Sequence, residues 1–85
     1  MKYTIIKMYV SCIIQIIKCK LIRRYIIIRM KRALWFYDKF EAFEDYDNRN
    51  EMWAIYLEDR KLIMELNEQI ITFQHIKTQL KEQVI

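Results

Sequence analysis

The chain has 85 residues, enough for one small domain over residues 1–85, and it contains neither glycine nor proline. Tight turns need positive φ angles, which glycine and asparagine adopt most easily, so a fold with many turns is excluded. Few turns within this length mean few elements, and those elements must be long. We therefore predict an all-α chain in which two long helices, one basic and Ile-rich and one acidic and amphipathic, form an antiparallel hairpin.

Charge is distributed unevenly along the chain. Residues 1–39 contain ten Lys and Arg against the single acid Asp38, and residues 40–85 contain five basic against ten acidic residues. A basic segment without acids is typical of contact with an anion: a phosphate backbone, lipid headgroups or an acidic protein surface. The opposite signs also suit two helices that fold back on each other, although exposed ion pairs contribute only about 0–1 kcal/mol each.

The first segment is apolar around most of a helix. Its polar residues are Thr4, Lys7, Ser11, Gln15 and Lys18. Steps of three and four between them mark one narrow stripe of a helix, whereas a strand would need strict alternation. We predict a basic apolar helix over residues 3–35, buried against protein or lipid because a helix of this kind is not normally left in water.

Membrane association of this segment is an open alternative. A spanning helix needs about 20 predominantly apolar residues, and Lys18 and Lys20 interrupt this segment early. A short span over residues 3–22 with lysines reaching the interface and burial against partner helices both fit the pattern. The acid-free start is similar to a mitochondrial transit peptide. Leu21-Ile22-Arg23 is faintly similar to the Leu-Tyr-Arg signature of small mitochondrial assembly proteins, but its Tyr is missing and it implies no function here.

The two cysteines, Cys12 and Cys19, are seven residues apart. On a helix this spacing is about 10 Å along the axis, too far for a disulfide between them. Without two further ligands they do not form a structural zinc site. We predict that both are buried apolar groups in an intracellular, reducing compartment, with a mitochondrial membrane as one location that fits the basic start.

Cations concentrate towards the end of the first predicted helix. The candidate residues for contact with a partner or an anion are Lys18, Lys20, Arg23, Arg24, Arg29, Lys31, Arg32 and Trp35. With RNA, the cations would neutralise phosphates and Trp35 would stack on bases. At a membrane, they would meet anionic headgroups with Trp35 at the interface. A salt-bridged face beside an aromatic core is the third interpretation, and the Ile between the cations favours protein or lipid over RNA.

An aromatic-rich elbow over residues 36–48 follows. Asp38 has Glu41 three residues on, and Asn48 has Glu51, and both pairs resemble capping boxes at the start of a helix. Two helix starts are therefore predicted, one near Asp38 and one at Asn48. This arrangement leaves room for a short helix at the elbow.

The last segment, residues 49–83, has the clearest amphipathic pattern. Its predicted interface stripe consists of Leu62, Leu66, Ile70, Phe73, Ile76 and Leu80. These residues recur at helical spacing without an ionisable group among them. The other faces of this helix are predicted to be polar, with Asp59 among their charged residues. The stripe is therefore predicted to be a helix–helix interface rather than a chemical site.

The sequence argues against catalysis and metal binding. Loops that bind nucleotide phosphates need glycine, which is absent. Ser11 and His75, the one serine and the one histidine, lie on different predicted helices. Glu68, His75 and Glu82 are spaced by sevens, about 10 Å apart, too far to share one ion. We expect no catalytic residue, no metal and no cofactor.

These features together predict a binding role. We expect a non-catalytic accessory or structural subunit of a large multiprotein complex, associated with a membrane. Its obligate partners would be other protein subunits, and membrane lipid would be a further partner. The alternative is a small RNA-contacting protein of a ribonucleoprotein such as a ribosome, which the basic cluster also fits.

Overall fold

The computed structural model describes residues 2–84, and two long helices contain almost all of them. Helix α1 runs over Lys2–Ala42 and helix α2 over Tyr46–Val84. The helices pack against each other as an antiparallel hairpin, and residues 2–84 include no strand. The predicted all-α hairpin is therefore confirmed.

Helix α1 ends in a Schellman motif. The backbone N–H of Asp45 donates to the carbonyl of Phe40 at 2.8 Å, and that of Glu44 donates to the carbonyl of Glu41 at 3.1 Å. Glu44 has a φ of 59°, in the left-handed region that glycine usually occupies in this motif. The chain has no glycine, so a glutamate adopts this conformation.

Helix α2 is capped by Asp45. Its carboxylate accepts from the backbone N–H of Asn48 at 3.4 Å and from the Asn48 side-chain amide at 2.7 Å. Its own carbonyl accepts from the backbone N–H of Arg49 at 3.0 Å. The helix start predicted at Asn48 is therefore three residues late. Asp45 supplies the acceptor first, and Asn48 is a donor in the first turn.

The predicted helix break near Asp38 is wrong. Helix α1 continues through Asp38 to Ala42, and residues 43–45 form a turn that leaves no space for a short third helix. Tyr37 and Phe40 are half-buried and continue the helical spacing of buried Ala33. Packing of this face against α2 stabilises a continuous helix, and this outweighs the local capping pattern that favours a new helix start at Asp38.

The hairpin divides into two compact units, and unit 1 comprises Met1–Ile22 and Glu65–Ile85. Its core contains Ile16, Cys19 and Ile70, with partly buried Leu66 and Phe73 packed against them. Cys12 is also buried, and neither cysteine forms a disulfide. The predicted burial of both cysteines is confirmed.

The inward-facing residues of unit 1 follow a regular repeat that we call the seam. On α1 these residues are Ile5, Tyr9, Cys12, Ile16 and Cys19, and on α2 they are Leu66, Ile70, Phe73, Lys77 and Leu80. All of them are buried or half-buried, and they recur in alternating steps of four and three. This spacing is that of a coiled coil, in which a narrow stripe of each helix meets the other. The opposite side of α1 takes no part in the seam.

Unit 2 comprises Arg23–Met64 and includes the turn. Its buried residues include Ile26, Ala33 and the carboxylate Asp59. Near the turn, aromatic side chains from both helices lie against one another. Unit 2 therefore has a mixed core, with an ion pair at Asp59 and an aromatic cluster beside the turn.

Candidate binding surface

A row of exposed apolar residues runs along α1 in unit 1, and we call it the α1 outer stripe. It consists of Tyr3, Ile6, Val10, Ile14, Ile17 and Leu21. Helical geometry places these positions on the side of α1 opposite Ile16 and Cys19. Ile14, Ile17 and Leu21 are 45%, 52% and 62% exposed. Single exposed apolar residues are ordinary, but a continuous row of them marks an interaction surface.

The stripe is long and lies beside a shallow groove. Eighteen helical steps from Tyr3 to Leu21 correspond to about 27 Å of helix. The groove at its start is lined by Tyr3, Ile6, Lys7, Val10, Ser11 and Ile14. It therefore has an apolar floor and a polar edge formed by a lysine and a serine.

The charges near the stripe are all positive on α1. Lys7, Lys18 and Lys20 are exposed, and none of them forms an ion pair with another residue in 2–84. Residues 1–37 contain no Asp or Glu. The surface therefore combines apolar side chains with unneutralised ammonium groups, and it attracts anionic or neutral occupants.

In unit 2, Arg29 forms an ion pair with Asp59 of the same chain. Its Nε donates to Oδ2 of Asp59 at 2.9 Å and its Nη2 donates to Oδ1, so both carboxylate oxygens are engaged. Asp59 is 0% exposed. The hydrogen bond to Asp59, and then its negative charge, raise the pKa of Arg29 above its ordinary value, so the guanidinium stays charged throughout the physiological range. The sequence predicts Arg29 as a contact for an external anion, whereas in the structure its side chain binds the carboxylate of Asp59.

Sequence reasoning missed Asp59 as a core residue. It belongs to a helical repeat with Met52, Tyr56 and Ile63, at steps of four, three and four. An acid inside an apolar repeat is the signal that would have revealed it, because such a position needs a cationic partner on the facing helix. The sequence reading placed Asp59 on the polar face instead.

The other predicted cations differ in exposure. Lys18 and Lys20 are exposed in unit 1, and Arg24, Lys31 and Arg32 are exposed in unit 2. Arg23 is half-buried and has an interaction partner. Trp35 is exposed, with the ammonium of Lys39 5.3 Å from its ring centroid. Among the predicted contact residues of unit 2, Arg24, Lys31, Arg32 and the indole of Trp35 are thus exposed and form no ion pair within residues 2–84.

Aromatic side chains of α1 and α2 contact one another near the turn. Ring centroids are 5.0 Å apart for Trp35–Phe36, 6.1 Å for Phe36–Phe40, 5.7 Å for Tyr37–Trp53 and 5.1 Å for Trp53–Tyr56. The guanidinium of Arg49 lies 4.8 Å from the ring of Tyr46 and 5.7 Å from that of Tyr37, with Nη1 3.9 Å from the carboxylate of Glu41. These aromatics and Arg49 hold the start of α2 against the end of α1.

The predicted interface stripe of α2 faces inward. Leu62, Leu66, Ile70, Phe73, Ile76 and Leu80 are all buried or half-buried. Leu66, Ile70 and Phe73 pack with Ile16 and Cys19 of α1. This part of the stripe is therefore an interface within the chain itself.

The surface of α2 has few groups arranged for chemistry. His75 is exposed, and its Nε2 lies 3.2 Å from the side-chain nitrogen of Gln79. A groove on α2 includes Glu68 and Thr72, and the Thr72 hydroxyl donates to the carbonyl of Glu68 at 2.9 Å. Across residues 2–84, no three His, Cys, Asp or Glu side chains are grouped so as to hold a metal ion.

Neither α1 nor α2, over the residues described, combines the length and hydropathy of a membrane-crossing segment. The chain matches no family model, and no curated protein or solved structure is significantly similar to it.

Proposed function

We propose that this protein is a non-catalytic accessory subunit of a larger multiprotein assembly associated with a membrane. The observation that carries the proposal is the α1 outer stripe. The hairpin already uses one side of α1 for its seam, yet the opposite side is also apolar. A helix with two apolar sides fits a chain that is completed by a second surface.

The free energy available at this surface is substantial. Full burial of a large aliphatic or aromatic side chain contributes about 1.5–3 kcal/mol relative to exposure. The six residues of the stripe are partly exposed, so each retains a share of that free energy for a partner. Their side chains offer packing, not proton transfer or coordination. The surface therefore supports binding rather than catalysis.

The alternative is an RNA-contacting subunit of a ribonucleoprotein. Arg24, Lys31, Arg32 and the indole of Trp35 are exposed in unit 2, a combination that suits phosphate contacts and base stacking. Binding through these residues would weaken steeply as salt rises, because phosphate contacts release counterions. The apolar contribution to binding through the α1 outer stripe would persist in high salt.

Co-purification tests the proposal. The tagged full chain is extracted in mild detergent from the cells that contain it, and the proteins and RNA retained at low and high salt are identified. The matched variants are Ile14→Gln/Ile17→Gln in the stripe and Met64→Gln/Ile71→Gln on α2, where both side chains are more than half exposed. We expect a defined set of protein subunits that survives high salt and persists in the α2 variant. The stripe variant should lose this set, because a chain that no longer reaches the membrane does not meet its partners there.

Two results would contradict the proposal. Recovery of RNA in a salt-sensitive manner, abolished by Arg24→Gln/Arg32→Gln, would establish the ribonucleoprotein alternative. Recovery of the chain alone, if it stays a monodisperse and fully helical monomer after the detergent is removed, would show that the α1 outer stripe needs no partner.

A further inference from the structure

We infer that the α1 outer stripe lies on an anionic lipid surface, with the unit 1 part of α1 parallel to the membrane plane. The inference rests on the proposed function and names what covers the exposed side of α1. Two observations carry it: the sign of the charge beside the stripe, and the position of a lysine at the edge of the apolar groove.

Charge selects the class of occupant. Lys7, Lys18 and Lys20 are exposed on α1 in unit 1 and have no ion-pair partner in residues 2–84. A second copy packed stripe to stripe would bring these cations towards the same cations of its partner, which opposes association. An anionic bilayer neutralises them instead, and each lysine near such a surface strengthens binding about fivefold.

Lys7 is placed as interfacial lysines are. It lines the same groove as Tyr3, Ile6 and Val10, so its side chain leaves the helix at the border of this apolar groove. From this border a lysine stem can cover apolar surface while its charge reaches the headgroups. Tyr3, exposed in the first turn of α1, combines an apolar ring with a hydroxyl and suits the same depth.

Vesicle flotation tests the inference with the full chain. The protein is synthesised in a cell-free system in the presence of vesicles and is then centrifuged in a density gradient. Aggregates sink in the gradient, so the fraction that floats is the lipid-bound chain. One vesicle preparation is pure phosphatidylcholine, and the other contains about one-third phosphatidylglycerol to give a negative surface. We expect strong flotation with the anionic vesicles and weak flotation with the neutral ones.

Three variants separate the contributions. Ile14→Gln/Ile17→Gln should lower the lipid-bound to free ratio at least tenfold, whereas Met64→Gln/Ile71→Gln on α2 should leave it unchanged. Lys7→Gln/Lys18→Gln/Lys20→Gln should lower binding to anionic vesicles by about fivefold per lysine without changing binding to neutral vesicles. Because those lysines make no ion pair in residues 2–84, this variant is expected to fold, and far-ultraviolet circular dichroism of the floated fraction checks its helicity.

Failure of this inference is distinguishable from failure of the proposed function. If the chain does not float, or floats equally well as Ile14→Gln/Ile17→Gln, the lipid assignment is overturned. If co-purification with protein subunits is nevertheless lost in that same variant, a protein covers the stripe and the accessory-subunit function stands. Dimers in detergent that dissociate on Ile14→Gln/Ile17→Gln, without flotation, would assign the stripe to a second copy and overturn the inference.

Discussion

Arg29 of α1 and Asp59 of α2 form a two-pronged ion pair in unit 2, with the carboxylate buried and the guanidinium partly open to solvent. Asp59 occupies a position in the inward-facing repeat that an apolar residue would usually fill. A register shifted by one turn would leave this carboxylate without its cation. The pair therefore selects the register in which Arg29 and Asp59 meet, as buried polar residues do in other coiled coils.

The hairpin should lose stability when one partner of the Arg29–Asp59 pair is replaced, and should keep its stability when both are replaced. Arg29→Met leaves the Asp59 charge buried and unpaired, so it should destabilise the hairpin strongly. Arg29→Met/Asp59→Leu removes both charges and should be at least as stable as the parent, at the risk of shifted registers. Chemical unfolding followed by circular dichroism in detergent measures this, with Arg24→Met as the exposed control. Equal stability of Arg29→Met and the parent would show that Asp59 does not depend on Arg29.

Glu44 in its left-handed conformation offers a stabilising substitution. A non-glycine residue in this region costs about 1–2 kcal/mol, and Glu44→Gly removes most of that strain while retaining the Schellman motif. We expect a gain of about 1 kcal/mol in the free energy of unfolding, measured in the same way. The control, Glu65→Gly within α2, should lose about 1 kcal/mol because glycine is unfavourable inside a helix. Loss of stability in Glu44→Gly would contradict the turn geometry.

The cap of α2 predicts that substitution of Asp45 destabilises the hairpin more than substitution of Asn48. Asp45→Ala should lose about 1 kcal/mol, because the first-turn N–H of Asn48 loses its acceptor. Asp45→Asn keeps an acceptor and should be nearly neutral. Asn48→Ala removes only a donor to Asp45 and should have the smaller effect. Thermal unfolding of the three variants gives the order, and a larger loss in Asn48→Ala would restore the helix start predicted from the sequence.

The inward face of α2 should be far more sensitive than its outer face. Ile70→Asp places a charge in the core beside Ile16 and Cys19 and should cost several kcal/mol. His75→Ala changes an exposed side chain and should stay within about 0.5 kcal/mol. Helicity and incorporation into the parent assembly are measured for both variants. If His75→Ala abolished incorporation while Ile70→Asp was tolerated, α2 would be a chemical site and not an interface.

The long-range pattern of the sequence predicted the fold, but local signals misplaced its boundaries. Absence of glycine and proline, with Leu66, Ile70 and Phe73 at helical spacing, was sufficient for two long helices and for the inward face of α2. The pattern at Asp38 failed because an acid followed by Glu41 is also common inside a continuous helix, where Phe40 packs inward. Capping patterns say where a helix can start, whereas tertiary packing decides whether it does.

The candidate surface was only partly predictable. A first segment apolar on nearly every side indicated that one partner helix would not cover it, but not which residues would remain exposed. That division depends on which stripe of α1 meets α2, and both stripes are rich in Ile. In unit 2, the ion pair between Asp59 and Arg29 determines which side of each helix faces the other helix. The sequence pattern had suggested that both residues lie on polar surfaces.

Cys12 and Cys19 are buried in the seam of unit 1, and unit 2 has no cysteine. A thiol shielded in this way reacts with an alkylating reagent only when the surrounding helices separate. The rate of labelling therefore reports how often unit 1 opens, independently of unit 2. If lipid or a protein partner slows the alkylation of both thiols, the decrease in the labelling rate measures how much that ligand reduces the opening of unit 1.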